Sequence, residues 1–363
     1  YTRKQIFEFA ESELLAIENE LKAPGTNEYG RVDRVAGWFL LARMYLNAQT
    51  WINENKYQEA YTYATKVIAD GHYPLASDYR EIFLADNNTC KEIIWPLVQD
   101  GLRAQSSAGT NFYVKAFVNG PMDELYKTGV GSRGWGNVRA KVSLVDAFDA
   151  DDVMFDGNDT WGNNKKDKRA QFMTALPNQV KDTWDVNMDM TSTFTCGYGY
   201  IKWRNVTKED ELSASGDAYT SIDFPLFRTA DAYLMAAEAI LRGASGTQSE
   251  ALGYVNEVRT RAYMSGKYAK SGVRSDVSGE IGANELDLDF LLLERQKELA
   301  SELIRRTDLI RFGKYTKGNN WDWKNGVRLG EDVDDKYNLF PIPESELTNN
   351  PTLVQNDGYK VIK

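Results

Sequence analysis

Paired runs of helical periodicity at both ends of the chain constrain its fold more than any other feature. In each run, large apolar residues recur at spacings of three and four, which is typical of the buried face of a helix. The paired runs are residues 35–46 with 57–68, and residues 227–242 with 250–263. Two helices joined by a polar break bury these faces against each other, and stacked pairs share one core, although the break in the first pair is longer than the standard tetratricopeptide turn. The sequence therefore predicts a mainly α protein, a scaffold of tetratricopeptide-like helix pairs.

Further helical runs lie beside these pairs. Residues 6–21 carry an apolar period that Pro24 and Gly25 bring to an end. Residues 288–303 predict a third helix in the second group. Whether residues 308–312 continue that helix or begin its partner is open.

The middle of the chain differs from both helical regions. Residues 92–98 form an apolar run and residues 197–203 alternate, so each predicts a short strand. Residues 143–148 predict one short helix, and the rest is rich in Gly, Asn and Asp. Loops of this length are usually functional or disordered, and the many aromatic residues argue against disorder. We expect a large, irregular, loop-rich lobe that binds a ligand.

The end of the chain is punctuated by proline. Pro341, Pro343 and Pro351 interrupt backbone hydrogen bonding, although the neighbouring residues include several large apolar side chains. We therefore expect a tail that is neither helix nor ordinary strand and that packs on the scaffold. The predicted division is residues 1–90 (N-terminal helical repeats), 91–225 (loop-rich lobe), 226–315 (C-terminal helical repeats) and 316–363 (tail).

Charge and residue counts exclude several classes of function. The net charge of −10 leaves no surplus of Lys and Arg, which argues against nucleic acid and anionic membrane as partners. The single histidine, His72, rules out multi-histidine zinc sites and HExxH metalloproteases. The two cysteines, Cys90 and Cys196, are too few for a disulfide framework, and whether they pair is open. No window of about 18 apolar residues is present to span a membrane.

The sequence predicts no metal, no cofactor and no catalytic residue. Carboxylates crowd into residues 149–159, but they lack the order of a calcium-binding EF-hand, so we interpret this segment as a polar loop and leave calcium undecided. No Gly-rich phosphate loop is present. No pair of carboxylates has a spacing that indicates a glycosidase.

A block rich in Glu and Arg needs a structural explanation. Glu294, Glu298 and Glu302 follow one another at one-turn spacing, which places like charges together. Arg295, Arg305 and Arg311 of the same block must therefore neutralise these acids or be met from other elements. We interpret the block as a partly buried ion-pair network that joins repeat to repeat, and not as a catalytic site.

Aromatic residues of the loop-rich lobe are the candidate ligand contacts. A sugar presents an apolar face that a flat ring can cover, while neighbouring polar groups hydrogen-bond its hydroxyls. Trp161 and Trp184 lie in polar loops with such neighbours, of which Asn163 is one. The predicted ligand-binding residues are Trp161, Trp184, Asn163, Trp135 and Tyr113. Tyr200 and Trp203 share one face of a predicted strand, so we expect them in the core.

Several segments together resemble the SusD/RagB family of nutrient-binding lipoproteins. The segments are residues 31–47, 134–139, 144–148, 167–169, 230–242, 254–262, 294–313 and 339–359. They cover nearly the whole chain in the family's order. One departure is local: members usually carry Glu-Gly-His-Arg where this chain has Glu302, Leu303, Ile304 and Arg305. That departure bears on a turn or contact and not on the resemblance.

The resemblance implies a function outside the cell. Members of this family present a helical-repeat scaffold with a large irregular lobe, bind oligosaccharide or in some cases peptide, and pass it without catalysis to a TonB-dependent transporter of the SusC type. They are tethered to the outer membrane by a lipid on an N-terminal cysteine. The chain starts at Tyr1 within a helical pattern, so we expect that its signal peptide, lipidated cysteine and first helices are not included.

Other functions stay open at this point. Within the same family, the sequence does not decide between glycan and peptide, nor which glycan or linkage is preferred. A helical-repeat scaffold that binds only proteins and a glycoside hydrolase are alternatives from other classes.

Overall fold

The computed structural model describes residues 1–119, 123, 126–153, 159–174, 197–318, 321, 327 and 330–360. The chain divides into two compact units, Tyr1–Glu302 and Leu303–Lys363. The helices in the described residues are α1 (Arg3–Ile17), α2 (Arg34–Ile52), α3 (Tyr57–Asp70), α4 (Thr110–Ala116), α5 (Val142–Val145), α6 (Ala150–Val153), α7 (Thr229–Leu241), α8 (Gln248–Ala262), α9 (Leu288–Leu299), α10 (Arg305–Arg311) and α11 (Glu344–Asn349). The strands are β1 (Ile93–Leu97), β2 (Phe172–Thr174), β3 (Tyr198–Tyr200) and β4 (Phe224–Arg228).

Paired helices form the scaffold of the first unit. α2 packs on α3, α3 packs on α7, and α7 packs on both α8 and α9. Asp33 caps α2 by accepting from the backbone N–H groups of Val35 and Ala36, and Asn53 ends it in the left-handed conformation, with φ of 57°. Fully buried Ala60 and Ala64 let α3 approach its neighbours closely. The predicted tetratricopeptide-like helix pairs are confirmed. No helix in the described ranges is both long and apolar enough to cross a membrane.

The second group of helices begins later than the sequence predicts. The helical period indicates a start at Phe227, but Phe227 and Arg228 belong to β4, and α7 starts at Thr229. β4 pairs antiparallel with β1, with Ile93 opposite Arg228. The prediction was wrong at these two residues because pairing with the apolar strand β1 outweighs their local helical pattern.

A second small sheet anchors the loop-rich part. β2 and β3 pair antiparallel, with Phe172 opposite Tyr200. Trp203 is buried and stacks on Phe224, with ring centroids 5.5 Å apart. Tyr200 is buried as well, so the expectation that Tyr200 and Trp203 belong to the core is confirmed.

An ion-pair network around Glu294, Glu298 and Glu302 is present in the first unit, as predicted, but it is buried and not partly buried, and its cations come from elements outside the block. Glu298 on α9 accepts from Arg228 at 2.7 Å, from Arg261 at 2.5 Å and from Arg169 at 3.2 Å. Burial alone would raise the pKa of Glu298, but the three guanidinium groups hold it well below its usual range. The neighbouring acids are paired in the same way, Glu294 with Arg169 and Arg259, and Glu302 with Arg228 and Lys202. These bonds tie the loop-rich part to α8 and α9.

The second unit organises the proline-rich end of the chain. The guanidinium carbon of Arg306 lies 4.2 Å from the ring centroid of Phe340, and the hydroxyl of Tyr359 donates to the carbonyl of Leu339 at 2.8 Å. The expectation of a tail without helix is wrong at α11, since the prolines stand at residues 341, 343 and 351 and leave Glu344–Asn349 free to form a helical turn. Packing of residues 316–363 on the scaffold stays a prediction.

Leu303 has a conformation that glycine adopts more easily. Its φ is +62°, in the left-handed region. Leu303 stands where members of the resembled family usually carry glycine. The departure noted in the sequence therefore places a β-carbon at a strained position.

Candidate functional site

Trp135 is held by its backbone at the surface of the loop-rich part. Its N–H donates to the carbonyl of Lys115 at 2.8 Å, and the N–H of Asn137 donates to the carbonyl of Ala116 at 2.8 Å. These bonds fasten the segment to the end of α4. The indole remains 36% exposed. The main chain thus fixes the position of Trp135 while its ring stays open to solvent.

A second exposed ring lies beside Trp135. Phe112 on α4 is 43% exposed, and its ring centroid is 6.1 Å from that of Trp135 with the planes at 60°. Tyr113 meets Phe112 edge-on at 5.9 Å and stacks on buried Trp203 at 5.3 Å. Burial, followed by the charge of Glu302, raises the pKa of Tyr113. We call Phe112, Tyr113 and Trp135 the Trp135 surface; it runs from the core to solvent.

Polar side chains accompany this surface. Asn137 is exposed two residues after Trp135. Arg133, two residues before it, pairs with Asp217 at 3.0 Å, and both side chains are exposed. Hydrogen-bond donors and acceptors therefore stand in the same segment as the exposed ring, as recognition of a ligand with many hydroxyls requires.

Trp161 has different surroundings. One guanidinium nitrogen of Arg80 donates to the Trp161 carbonyl at 2.6 Å and to the side-chain oxygen of Asn163 at 2.7 Å. Arg80 is itself held by Asp78 through two bonds, at 2.9 and 2.7 Å. The half-buried indole lies under the guanidinium of Arg204, whose central carbon is 3.9 Å from the ring centroid. The segment is fixed by side chains as well as backbone.

Arg204 is a buried cation with incomplete pairing. It is 2% exposed, and its Nη2 donates to the carbonyls of Tyr126 and Lys127 at 2.9 and 2.8 Å. In the part of the chain that the structure describes, its Nε and Nη1 have no hydrogen-bond partner. Burial lowers the pKa of Arg204 to about 10. The electron-rich face of Trp161 is thus a favourable neighbour for this charge.

The predicted site residues fall into two groups. Trp135 and Tyr113 are joined through Phe112, and Trp161 and Asn163 are joined through Arg80. Among the described residues, no ring contact links the two groups. Trp184 lies outside the described residues.

The sequence missed Phe112. Its neighbour Tyr113 was a predicted ligand-binding residue, but α4 was not predicted, so nothing in the sequence indicated which of the two rings faces outward. Helical phase alone would not have given that signal, because Ala116 lies one turn from Phe112 on the same face and is buried.

Two further predictions concern residues that are only partly described. In the described residues, no group of three or more His, Cys, Asp or Glu side chains could hold a metal ion. Asp152 in the predicted polar loop accepts from the N–H groups of Lys166 and Asp167, while residues 154–158 lie outside the described ranges. Cys90 has a free thiol, and Cys196 lies outside the described residues.

A stack of helix pairs that carries an irregular part with exposed aromatic rings defines a protein of the helical-repeat class. Comparison with known proteins identifies the family. Residues 91–359 match the model of the SusD family. The chain belongs to the SusD family.

Similar proteins are found among curated sequences. The chain is 32% identical over 386 residues to the starch-binding protein SusD of Bacteroides thetaiotaomicron, covering 98% of this chain and 66% of that protein. It is 25% identical to a SusD-like protein of Formosa agariphila, covering 91% of this chain and 59% of the relative. The chain therefore spans about three fifths to two thirds of the length of these relatives.

Solved structures share the fold. A SusD-like protein of Bacteroides fragilis has a TM-score of 0.67 at 20% identity, covering 98% of this chain and 71% of that one. Surface glycan-binding protein A of Bacteroides thetaiotaomicron, in complex with laminarihexaose, has a TM-score of 0.65 at 22% identity, covering 98% and 70%. At these identities the likeness establishes the SusD-like, tetratricopeptide-like fold.

Proposed function

We propose that this protein binds oligosaccharide or polysaccharide at the cell surface and has no catalytic role. The observation that carries the proposal is the exposed pair of rings, Phe112 and Trp135, on a segment fixed by its backbone. The names of a starch-binding relative and of a structural neighbour with bound laminarihexaose support the same ligand class.

The chemistry of the Trp135 surface suits a sugar chain. An apolar sugar face that covers one ring is worth roughly 1–2 kcal/mol at about 25 cal/mol per Å². Two rings set at 60° can contact successive sugar units of one bent chain. Asn137, Arg133 and Asp217 supply hydrogen bonds to hydroxyls. Several weak contacts on one oligomer then give useful affinity.

Membership of the family supports the wider role. We propose that the full-length protein is held by an N-terminal lipid at the outer face of the outer membrane. There it would deliver its glycan to a TonB-dependent transporter of the SusC type. A peptide ligand is the rival within the same family. Trp161, Asn163 and Trp184 stay predicted ligand contacts.

Calorimetric titration with maltohexaose and laminarihexaose tests the proposal. We expect parent protein to bind at least one of the two, and Trp135→Ala and Phe112→Ala each to lower affinity about tenfold, since one ring contact is worth about 1.4 kcal/mol. Trp51→Ala, which removes an exposed ring on α2, is the matched control and is expected to bind like the parent.

The contradicting outcomes are distinct. If Trp135→Ala and Phe112→Ala both bind like the parent, the proposal that the Trp135 surface contacts the sugar is wrong. If the parent binds neither sugar but binds peptides, the ligand class is wrong. Release of new reducing ends from either sugar by the pure protein, abolished by substitution of one carboxylate, would replace the proposal with a hydrolase.

A further inference from the structure

A cavity of about 480 Å³ lies in the first unit. Its walls come from the loop between α1 and α2, from the residues that follow α3, and from residues 88–91. Ile93, Ile94 and Pro96 of β1 add apolar lining. The volume is within the range of cavities that hold small ligands. We call it the Tyr29 cavity.

Tyr29 is an exposed ring with a fixed hydroxyl. It is 52% exposed, and its hydroxyl donates to Asp223, which is 3% exposed. Asp223 also accepts from the N–H of Gln99 at 2.7 Å, so the carboxylate is held from two sides. Burial and the bond to Asp223 raise the pKa of Tyr29. The ring is therefore held in one orientation although half of it faces solvent.

Tyr73 repeats this arrangement within the same cavity. Its hydroxyl donates to Asp33 at 2.6 Å, and Asp33, which also caps α2, is 1% exposed. The same carboxylate oxygen accepts from the N–H of Gly25 at 2.8 Å. Two tyrosines that line one cavity are thus each anchored to a buried carboxylate.

His72 supplies the third ring. Its imidazole centroid is 6.1 Å from that of Tyr73. It rests directly on Gly25, where an added β-carbon would come within 2.1 Å of the imidazole, and Gly25 has a φ of +65°. Glycine is required here both by the left-handed backbone and by the close approach of the ring.

The lining of the cavity includes exposed groups of both charges. Glu28 and Arg31 are exposed and form an ion pair at 2.9 Å. Asn88 and Lys91, which also line the cavity, are exposed as well. Donors and acceptors around aromatic walls match a neutral ligand with many hydroxyls better than they match an anion or an apolar molecule.

The cavity has a neighbour. Thr89, Cys90 and Lys91 also line a second cavity of about 320 Å³, so these residues form a ridge between the two. A chain of sugar units could cross this ridge, whereas a single sugar would occupy one side only.

We propose that the Tyr29 cavity is a second binding site for neutral oligosaccharide, separate from the Trp135 surface. The inference rests on the proposed function in taking a glycan as the ligand. Its two tyrosine rings are fixed before the ligand arrives, so little of their side-chain freedom is lost on binding. Two sites on one chain would let the protein hold a polysaccharide at two points, which raises its avidity.

The single histidine makes this site directly observable. Because the sequence contains only His72, protein freed of any purification tag gives one imidazole Cε1–Hε1 signal in a proton–carbon correlation spectrum. We expect titration with maltohexaose or laminarihexaose at constant pH to shift this signal saturably. The shift should persist in a Phe112→Ala/Trp135→Ala double variant, whose calorimetric affinity is reduced.

Variants of the cavity localise the effect. Tyr29→Ala removes the anchored ring, and Asn88→Ala with Lys91→Ala removes two exposed side chains that the fold does not need. With either change, we expect the sugar concentration that half-saturates the shift of the His72 signal to rise about tenfold or more. Trp51→Ala should leave the titration unchanged.

The outcomes separate this inference from the proposed function. Calorimetric binding by the parent without any shift of the His72 signal overturns the Tyr29 cavity and leaves the Trp135 surface standing. A shift that Asn88→Ala/Lys91→Ala does not weaken also overturns it. A shift with full calorimetric affinity in the Phe112→Ala/Trp135→Ala variant supports the cavity and overturns the Trp135 surface. A parent that binds neither sugar overturns both.

Discussion

Trp135 and Trp161 lie in similar loops but have different partners. The backbone of Trp135 is bonded to Lys115, and its ring is exposed beside Phe112. The carbonyl of Trp161 is bonded to Arg80, and its ring is half-buried under Arg204. The ring of Trp135 is therefore open to a ligand, whereas the ring of Trp161 covers the buried charge of Arg204.

The difference teaches that local sequence does not decide whether an aromatic ring is available to a ligand. Both tryptophans have polar and glycine neighbours, and both were among the predicted ligand-binding residues. The deciding residues, Arg80 and Arg204, come from other parts of the chain. We therefore expect changes around Trp161 to act mainly on folding, and changes around Trp135 to act mainly on binding.

Arg80→Met should have the largest effect on stability. It leaves the buried carboxylate of Asp78 without its guanidinium and removes the bonds to Trp161 and Asn163, a loss of about 3–5 kcal/mol in the free energy of unfolding. Urea unfolding measures it. Arg133→Met is the matched control in the Trp135 segment, and its exposed pair with Asp217 should be worth about 0–1 kcal/mol. Equal losses of unfolding free energy in Arg80→Met and Arg133→Met would contradict the proposed difference between the two segments.

Trp161→Ala should be the next largest. It removes a half-buried ring and the cation–π contact with Arg204, which together are worth about 2–3 kcal/mol. Trp135→Ala should cost less than about 1 kcal/mol, since its ring is more exposed. Thermal or urea unfolding of the two variants side by side gives the comparison. A greater loss for Trp135→Ala would contradict it.

The affinity of the Trp161→Ala variant for glycan shows whether the Trp161 ring contacts sugar or only covers Arg204. If Trp161→Ala lowers affinity for maltohexaose while the folded protein is otherwise intact, Trp161 contacts sugar as the sequence predicted. If the affinity is unchanged, the contact with Arg204 is sufficient to explain why the Trp161 ring lies where it does.

Much of the scaffold was readable from the sequence because its signals are periodic. The apolar spacing of residues 35–46 and 57–68 predicted α2 and α3, and the one-turn spacing of Glu294, Glu298 and Glu302 predicted buried ion pairs. Both follow from helix geometry, which is local. Where a non-local pairing competes, as β1 does for Phe227 and Arg228, the same signal failed.

The candidate site was less predictable. Residue type indicated that aromatic rings in the loop-rich part are candidate ligand contacts, and Trp135 is exposed, as a ligand contact must be. Exposure itself depends on tertiary partners, so the sequence did not reveal Phe112 as the neighbour of Trp135 or Arg204 as the cover of Trp161. The Tyr29 cavity was also invisible, because each anchored tyrosine meets a carboxylate distant in the chain: Tyr29 meets Asp223, and Tyr73 meets Asp33.

Acid should weaken the Trp161 segment through Asp78. Burial raises the pKa of Asp78, but the bonds and charge of Arg80 outweigh it and lower the pKa from its ordinary 3.8 to about 2. A carboxyl whose pKa is lowered on folding stabilises the protein above its unfolded pKa, and this contribution is lost as pH falls from about 4 to 2. It amounts to about 2 kcal/mol.

The matched variant isolates this effect from other carboxylates. The difference in unfolding free energy between the parent and Asp78→Asn should shrink by about 2 kcal/mol between pH 4 and pH 2, because the amide that replaces the carboxyl does not titrate. A difference independent of pH would mean that Asp78 is not held in its charged form by Arg80.

Among the changes in the Trp161 segment, Asn163→Ala should have the smallest effect on stability, and it allows a close comparison with the Trp135 segment. Asn163 provides one of several bonds to Arg80, at 2.7 Å, so its loss should cost about 1 kcal/mol while Asp78 and the Trp161 carbonyl still hold the guanidinium. Asn137→Ala is the counterpart beside Trp135, where the side chain is exposed. We expect Asn137→Ala to weaken glycan binding without loss of stability, and Asn163→Ala to lower stability, with a loss of affinity only if Asn163 also contacts the sugar. If both variants lose affinity and neither loses stability, the two segments belong to one sugar-binding surface and Arg80 serves to position it.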